Sequence, residues 1–265
     1  MFVRPDFDPI ALSIGPLDIH WYGLMYLLSF VVGWGMAVVR TRQSHIHWHR
    51  DEVGDFLFYV VLGVVLGGRL GYCLLYQPDL FLHHPIQIFY IWQGGMSFHG
   101  GMLGVFLASW LFGRKTNRTF FTITDFIAPM VPIGLFFGRI ANFINGELIG
   151  RAADVPWAMI YPHVDMQPRH PSELYEATLE GLVLFAILWI YAAKPRPRMA
   201  VSGLFLIGYG AFRFFCEFFR QPDAFAGFVA FGWMTLGQLY SAPMVLGGIA
   251  LMVWAYRRAD KPAAA

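Results

Sequence analysis

Seven apolar runs, each near the roughly 20 residues a helix needs to cross the hydrocarbon core of a bilayer, leave this chain few ways to fold. They lie near residues 21–39, 56–76, 95–112, 121–143, 173–193, 201–219 and 236–256. Hydrophobic residues make up 57% of the 265 and charged residues only 14%, more apolar surface than a soluble domain of this size can bury. The expected architecture is an all-α polytopic membrane protein with seven transmembrane helices and a small segment on the outer side. Residues 1–265 should form a single membrane-embedded domain, since no internal repeat or low-complexity linker divides them. Met1 to Ile19 mixes Pro5, Pro9 and Pro16 with Asp6, Asp8 and Asp18 and shows no removable signal peptide. The first run should then serve as an uncleaved anchor. Cys73 and Cys216 fall within apolar runs, which favours buried, unpaired thiols over a disulfide or a nucleophile.

Charge orients the helices. Arg40, Arg42 and Arg50, then Arg114, Lys115 and Arg118, then Lys194, Arg196 and Arg198, then Arg257, Arg258 and Lys261 occupy four short connections that fall on one side if all seven runs cross. The positive-inside rule puts these in the cytoplasm and the N-terminus outside. Outside as well is residues 152–168, which Pro156, Pro162 and Pro168 should keep irregular. Gly63, Gly67 and Gly71 recur every fourth residue and form a surface for close helix packing. Arg69 beside them is structural or lines a cavity. Gln87 to Trp92 is amphipathic and aromatic and should lie along the interface.

Polar groups crowd into a few places. Gly138 to Arg151 follows an apolar run and within fourteen residues carries Arg139, Asn142, Asn145, Glu147 and Arg151 with three glycines. Such groups at membrane depth usually face a protein interior or a wet cavity and mark a functional site. Gly94 to Gly101 frames Ser97 and His99 with glycines, so backbone or substrate can approach them. Tyr209, Arg213, Glu217 and Arg220, spaced four, four and three, stack on one helix face; the arginines and glutamate form an internal ladder, a ligand site, or both. Ser172 looks like an N-cap with Glu173 and Glu176 in the first turn, and Glu176 and Glu180 are candidates to pair with an intramembrane arginine. There is no P-loop, dinucleotide fingerprint, nucleophile elbow or zinc motif. His45, His47 and His49 lack supporting carboxylates or cysteines and belong to a solvated basic loop. No cofactor or metal is implied.

Two arginine donors in a membrane cavity call for an anion, and a phospholipid phosphate is the one most available there. At this point the chain resembles a known family. His20 to Tyr26, Gly94 to Gly101, Gly138 to Gly150, Arg169-His170-Pro171-Ser172, and Gly210-Ala211-Phe212-Arg213 through Glu217 to Arg220-Gln221-Pro222-Asp223 resemble, in order and over essentially the whole chain, the motifs of the bacterial prolipoprotein diacylglyceryl transferases. The resemblance implies a seven-helix inner-membrane enzyme with its site toward the periplasm. It implies transfer of the diacylglyceryl group of phosphatidylglycerol to the lipobox cysteine thiol of prolipoprotein signal peptides, with glycerol phosphate released and no metal.

The residues suit that reaction. Arg139 and Arg213 would hold the phosphate, and Asn142 and Asn145 the headgroup or the order of the cavity. Glu147 would orient an arginine or bond the glycerol hydroxyls, and Tyr22 would be a second donor. Gly150, Tyr209, Glu217 and Arg220 complete the expected substrate-binding set. His99 is the preferred general base, because imidazole titrates near neutral pH. The expected partners are the lipid and the signal peptide, not nucleic acid, and a monomer is expected. Rival readings are a lipid or organic-anion transporter, a scaffold, and an intramembrane protease using Ser97 and His99.

Overall fold

The computed structural model describes residues 2–15, 17–91, 94–222 and 227–259; Pro16, Trp92, Asp223 and Lys261 lie outside the described residues. The chain forms two compact units, Ala37–Thr124 and the combination of Met1–Met36 with Asp125–Ala265. Helix α1, Trp21–Arg40, leads from the second of these into the first.

The Ala37–Thr124 unit is built on α2, Arg50–Leu75, packed along α4, Phe98–Lys115. Glycine explains how closely they approach. A Cβ on Gly63 would meet the Gly104 carbonyl at 2.5 Å, and one on Gly67 the Gly100 carbonyl at 2.4 Å, so only bare backbone fits the seam. At the opposite end of α2, His49 N–H donates to Glu52 Oε2 (2.7 Å) and Arg118 grips both Glu52 oxygens, at 2.8 and 3.0 Å. Trp48, Phe56 and Phe112 stack beneath. Between α2 and α4 run the short helix α3, Pro78–His83, and a 3₁₀ turn, Pro85–Phe89.

In the other unit, β2 (Ile10–Ile14) and β3 (Leu17–His20) form an antiparallel hairpin before α1, while β1 (Phe2–Val3) reaches β4. Helix α5 (Phe120–Ile127), which begins in the Ala37–Thr124 unit, and α6 (Val131–Asn145) are bent by 53° where Pro129 and Pro132 interrupt the ladder. Strands β4 (Met159–Tyr161) and β5 (Asp165–Arg169) join β1 in a three-stranded sheet of order β1-β4-β5. This corrects the expectation that residues 152–168 are irregular. Pro168 lies in β5 and Pro162 in the turn, so the prolines shape the hairpin without abolishing it.

A continuous helix then runs from Ser172 to Tyr191 in three parts: α7 (Ser172–Glu176), a π-helical stretch (Ala177–Val183) and α8 (Leu184–Tyr191). Ser172 is not its N-cap. Pro171 holds that position, and the Ser172 hydroxyl donates instead to the Leu148 carbonyl at 3.0 Å. Leu184 and Leu188 pack with Ala128, Ala192 and Val201 in the core. Helices α9 (Ala200–Cys216) and α10 (Leu236–Ala259) pack through Gly203 and Gly248, and Asp125 receives the N–H groups of Met199 and Ser202 at the start of α9, at 2.6 and 2.8 Å.

Helices cover each of the seven apolar runs. Among the described residues, four helices can cross a membrane by length and composition, namely α1, α2, Ser172–Tyr191 and α10, and the bent pair α5 and α6 is a fifth if taken as one span. The chain is thus a largely helical membrane protein. Both cysteines are buried and free.

Candidate functional site

Three helical elements of the Met1–Met36 and Asp125–Ala265 unit converge on a buried ion network. Arg139, from α6, brings Nε within 2.7 Å of Glu176 Oε2 and Nη2 within 3.5 Å of Glu180 Oε2. Arg213, from α9, donates from Nη1 to the other oxygen of the same Glu176 at 2.7 Å and lies 3.7 Å from Glu180 Oε1. Glu176 is therefore the shared anchor. Arg213 Nη2 also donates to Glu217, four residues on, and Arg220 Nη1 bonds the same Glu217 oxygen at 3.2 Å. Glu176 and Glu180 are completely buried, while Arg139 and Arg213 retain 16% and 12% of their side-chain surface. Three guanidiniums face three carboxylates, which is how buried charge is tolerated.

The π-helical stretch gives Glu180 its place. Its widened backbone carries Ala177–Val183, and Gly181 lets it lie against α6, where a Cβ would come 2.7 Å from Phe136 Cβ. Such insertions frequently accompany functional sites.

At its C-terminal end α6 closes with a Schellman motif. Gly146 adopts φ 73°, its N–H donates to the Phe143 carbonyl (3.2 Å), and Glu147 N–H donates to the Asn142 carbonyl (2.9 Å). That turn sends the Glu147 carboxylate back over the helix end, where Asn142 and Asn145 donate to its two oxygens at 3.1 and 3.3 Å. Tyr22, its ring tilted against that of Tyr26 at 5.3 Å, is within electrostatic reach of both Glu147 and Arg139. Tyr209, stacked on Phe205, feels Glu180, Arg213 and Arg139. Gly150 bridges to Arg220, and a side chain on it would strike the His170 carbonyl at 2.1 Å. The structure thus gathers Tyr22, Arg139, Asn142, Asn145, Glu147, Gly150, Tyr209, Arg213, Glu217 and Arg220 in one unit.

His99 belongs to the other unit. It sits exposed in the first turn of α4, its ring edge-on to Phe98. Ser97 is buried and caps that helix by accepting from Gly100 N–H at 3.2 Å, so it is a helix cap with its lone pair engaged. Arg69, left open between structure and cavity, spends its donors on backbone: Gln87 (2.6 Å), Ile88 (2.9 Å), Gly94 (2.6 Å) and Gly95 (3.1 Å) carbonyls. That settles it as structural.

Several supporting residues escaped the sequence reading. Arg4 donates to the Phe143 carbonyl at 2.8 Å and also to Ile144, so a cation sits on the C-terminal carbonyls of α6. No local signal announces a contact 139 residues away. Thr235 and Gln238 cap α10 reciprocally, at 3.0 and 3.3 Å, and the Thr235 hydroxyl donates to Glu217 at 2.6 Å. Here a signal existed, since Thr-x-x-Gln before an apolar run is a capping box. Outside the spans, hydrogen bonding from Arg169 holds the Asp165 carboxyl below its usual range, and burial lowers His170.

The family model described as prolipoprotein diacylglyceryl transferase matches residues 9–254. A phosphatidylglycerol–prolipoprotein diacylglyceryl transferase of Legionella pneumophila (strain Corby) is 57% identical over 257 residues, covering 97% of this chain and all of the relative. Proteins of the same name from Azotobacter vinelandii and Pseudomonas paraeruginosa are each 56% identical, covering 97% and 100% of this chain and 98% and 100% of their own lengths. The chain belongs to the prolipoprotein diacylglyceryl transferase family.

Proposed function

We infer that this protein transfers the diacylglyceryl group of phosphatidylglycerol to the lipobox cysteine of prolipoproteins, the first step of lipoprotein maturation. Family membership over nearly the full chain supports the reaction. The observation that carries the site is that Arg139 is held from one side only. Its Nε and Nη2 face Glu176 and Glu180, while Nη1 has no hydrogen bond among the described residues and the side chain keeps some exposure. A guanidinium so fixed can receive a phosphate oxygen without reorganising.

In the reaction the cysteine sulfur attacks the glyceryl carbon that bears the phosphate. The C–S bond forms, the C–O bond breaks, and the electron pair leaves with glycerol phosphate. Arg139 and Arg213 take the charge that grows on the departing phosphate. His99 accepts the thiol proton, a role that fits an exposed imidazole. Asn142, Asn145 and Glu147 act together on the glycerol headgroup, with Tyr22 as a further donor. Gly150, Tyr209, Glu217 and Arg220 shape the remainder of the lipid site. We read the chain as a single transferase domain with seven spans. It is a monomer in the bacterial inner membrane, and its site opens to the periplasm.

Mass spectrometry of a lipobox peptide incubated with the purified protein and phosphatidylglycerol tests the reading. A diacylglyceryl mass gain is expected that disappears with Arg139→Ala and with serine in place of the peptide cysteine. A folded wild-type protein that forms no adduct would overturn it.

A further inference from the structure

The His99 segment is not anchored by its own helix alone. Gly68 and Arg69, adjacent on α2, grip both ends of the turn that precedes it: the Gly68 carbonyl accepts the Ser97 N–H at 2.8 Å, and Arg69 Nη1 donates to the carbonyls of Gly94 and Gly95. Both glycines have positive φ, 80° and 79°, and this is what aims two successive carbonyls at one nitrogen. A Cβ on Gly95 would lie 2.5 Å from the Tyr72 ring and 2.9 Å from Arg69 Nη1. The guanidinium also lies over the rings of Tyr72 and Phe81 and reaches Gln87 and Ile88 with its other nitrogens. Four of its five N–H donors are on backbone carbonyls and the side chain is buried, so Arg69 is committed to this fold. It is the core on which the turn is folded.

We propose that Arg69 is a positioning residue for His99, setting where the first turn of α4 presents the imidazole. This rests on the reading of His99 as the base. The path from one to the other is short: Arg69 fixes Gly94 and Gly95, Ser97 locks to Gly68 and caps α4, and His99 lies in that first turn. A misplacement of about 1 Å in such a group can cost about 100-fold in rate.

Steady-state kinetics on the purified full-length protein, with phosphatidylglycerol and a lipobox peptide, test this with R69Q, R69K, G95A, H99Q and the double variant R69Q/H99Q. R69Q and G95A are expected to lower kcat by about 10- to 100-fold while KM for the lipid stays within about twofold. R69K, which keeps the charge without the fork, should recover part of the loss. The double variant should be no slower than H99Q, because the effect of Arg69 passes through that imidazole. G95A keeps the Arg69 side chain and disturbs the same turn from the glycine side, so it reports even if R69Q does not fold. A full additional loss from R69Q in the H99Q background would overturn the proposal, as would a rise in KM with kcat unchanged. If H99Q is inactive while folded R69Q and G95A keep wild-type kcat, only the positioning role falls. If H99Q itself keeps most of its activity, the base assignment falls and the positioning role with it.

Discussion

Arg69 and Arg139 are both arginines within apolar helices long enough, alone or as a bent pair, to cross a membrane, yet they are held in opposite ways. Arg69 is surrounded by neutral backbone carbonyls and aromatic rings, and its charge is spread over dipoles that the chain must fold to supply. Arg139 is held by the carboxylates of Glu176 and Glu180, which it shares with Arg213. The first arrangement commits four of the five N–H donors to backbone and makes the residue part of the fold. The second neutralises the charge while the side chain keeps 16% of its surface, and it is this arrangement on which the proposed anion site rests. What surrounds the guanidinium, and not its depth, separates scaffold from site.

The largest test breaks the carboxylate side. Glu176→Gln leaves two guanidiniums sharing one neutral partner, and removal of one member of such a buried pair costs about 3–5 kcal/mol. Thermal unfolding of the detergent-solubilised protein should show the loss, with Glu180→Gln falling less because its contacts are longer, at 3.5 and 3.7 Å.

Next comes the fork itself. Arg139→Lys keeps the charge but cannot both hold Glu176 and present a planar donor outward. Transfer should fall about 100-fold, roughly what loss of one oriented donor costs, while the melting temperature moves little. Equal activity of the lysine variant would mean that charge alone suffices and would erase the contrast with Arg69.

A smaller effect tests the packing on which Arg69 depends. Gly104→Val drives a side chain into Gly63, whose carbonyl is only 1.9 Å from an ideal Cβ at position 104. About 1–3 kcal/mol of stability should be lost, read by protease susceptibility of the α2 and α4 segment. Residues near Arg139 should stay protected if the two regions draw on separate sources of stability.

Exposed pairs set the floor. Lys115 and Asp55 are 3.7 Å apart with more than half of each side chain exposed, so Lys115→Ala should change stability by less than about 0.5 kcal/mol. Asp165 beside Arg169 adds a pH signature. Its folded carboxyl titrates below the ordinary value, so its contribution is present above about pH 4 and is lost as pH falls further through the folded value. Asp165→Asn should lower stability slightly at neutral pH and flatten that part of the acid-unfolding curve, so that the variant and the wild type converge in acid.

Much of the candidate site was legible because intramembrane charge is rare. Arg139 and Arg213 stand out against apolar neighbours, and the four- and three-residue spacing from Arg213 to Arg220 already placed a ladder on one face. Glu176 and Glu180 were visible as carboxylates near a helix start, but not as a shared anchor. The turn beyond Asn145 announced itself through Gly146, yet the strands at 152–168 did not, since three prolines outweighed a β-pattern only a few residues long. Ser172 misled for a related reason. A serine ahead of glutamates satisfies the local capping rule, but Pro171 took the cap and the hydroxyl found a carbonyl from a distant loop.

The sequence by itself determined that the chain is a membrane protein of many apolar helices, and which few polar side chains stand against apolar neighbours. These follow from hydrophobic length, charge asymmetry and spacing, all of which act locally along the chain. Only the tertiary structure decided that Arg69 is spent on backbone carbonyls while Arg139 is held by carboxylates, that a π-helical stretch brings Glu180 to the arginines, and that Arg4 seals the end of α6. Those outcomes depend on which carbonyls and carboxylates meet across elements far apart in sequence, and the geometry of a hydrogen bond is set by both partners at once.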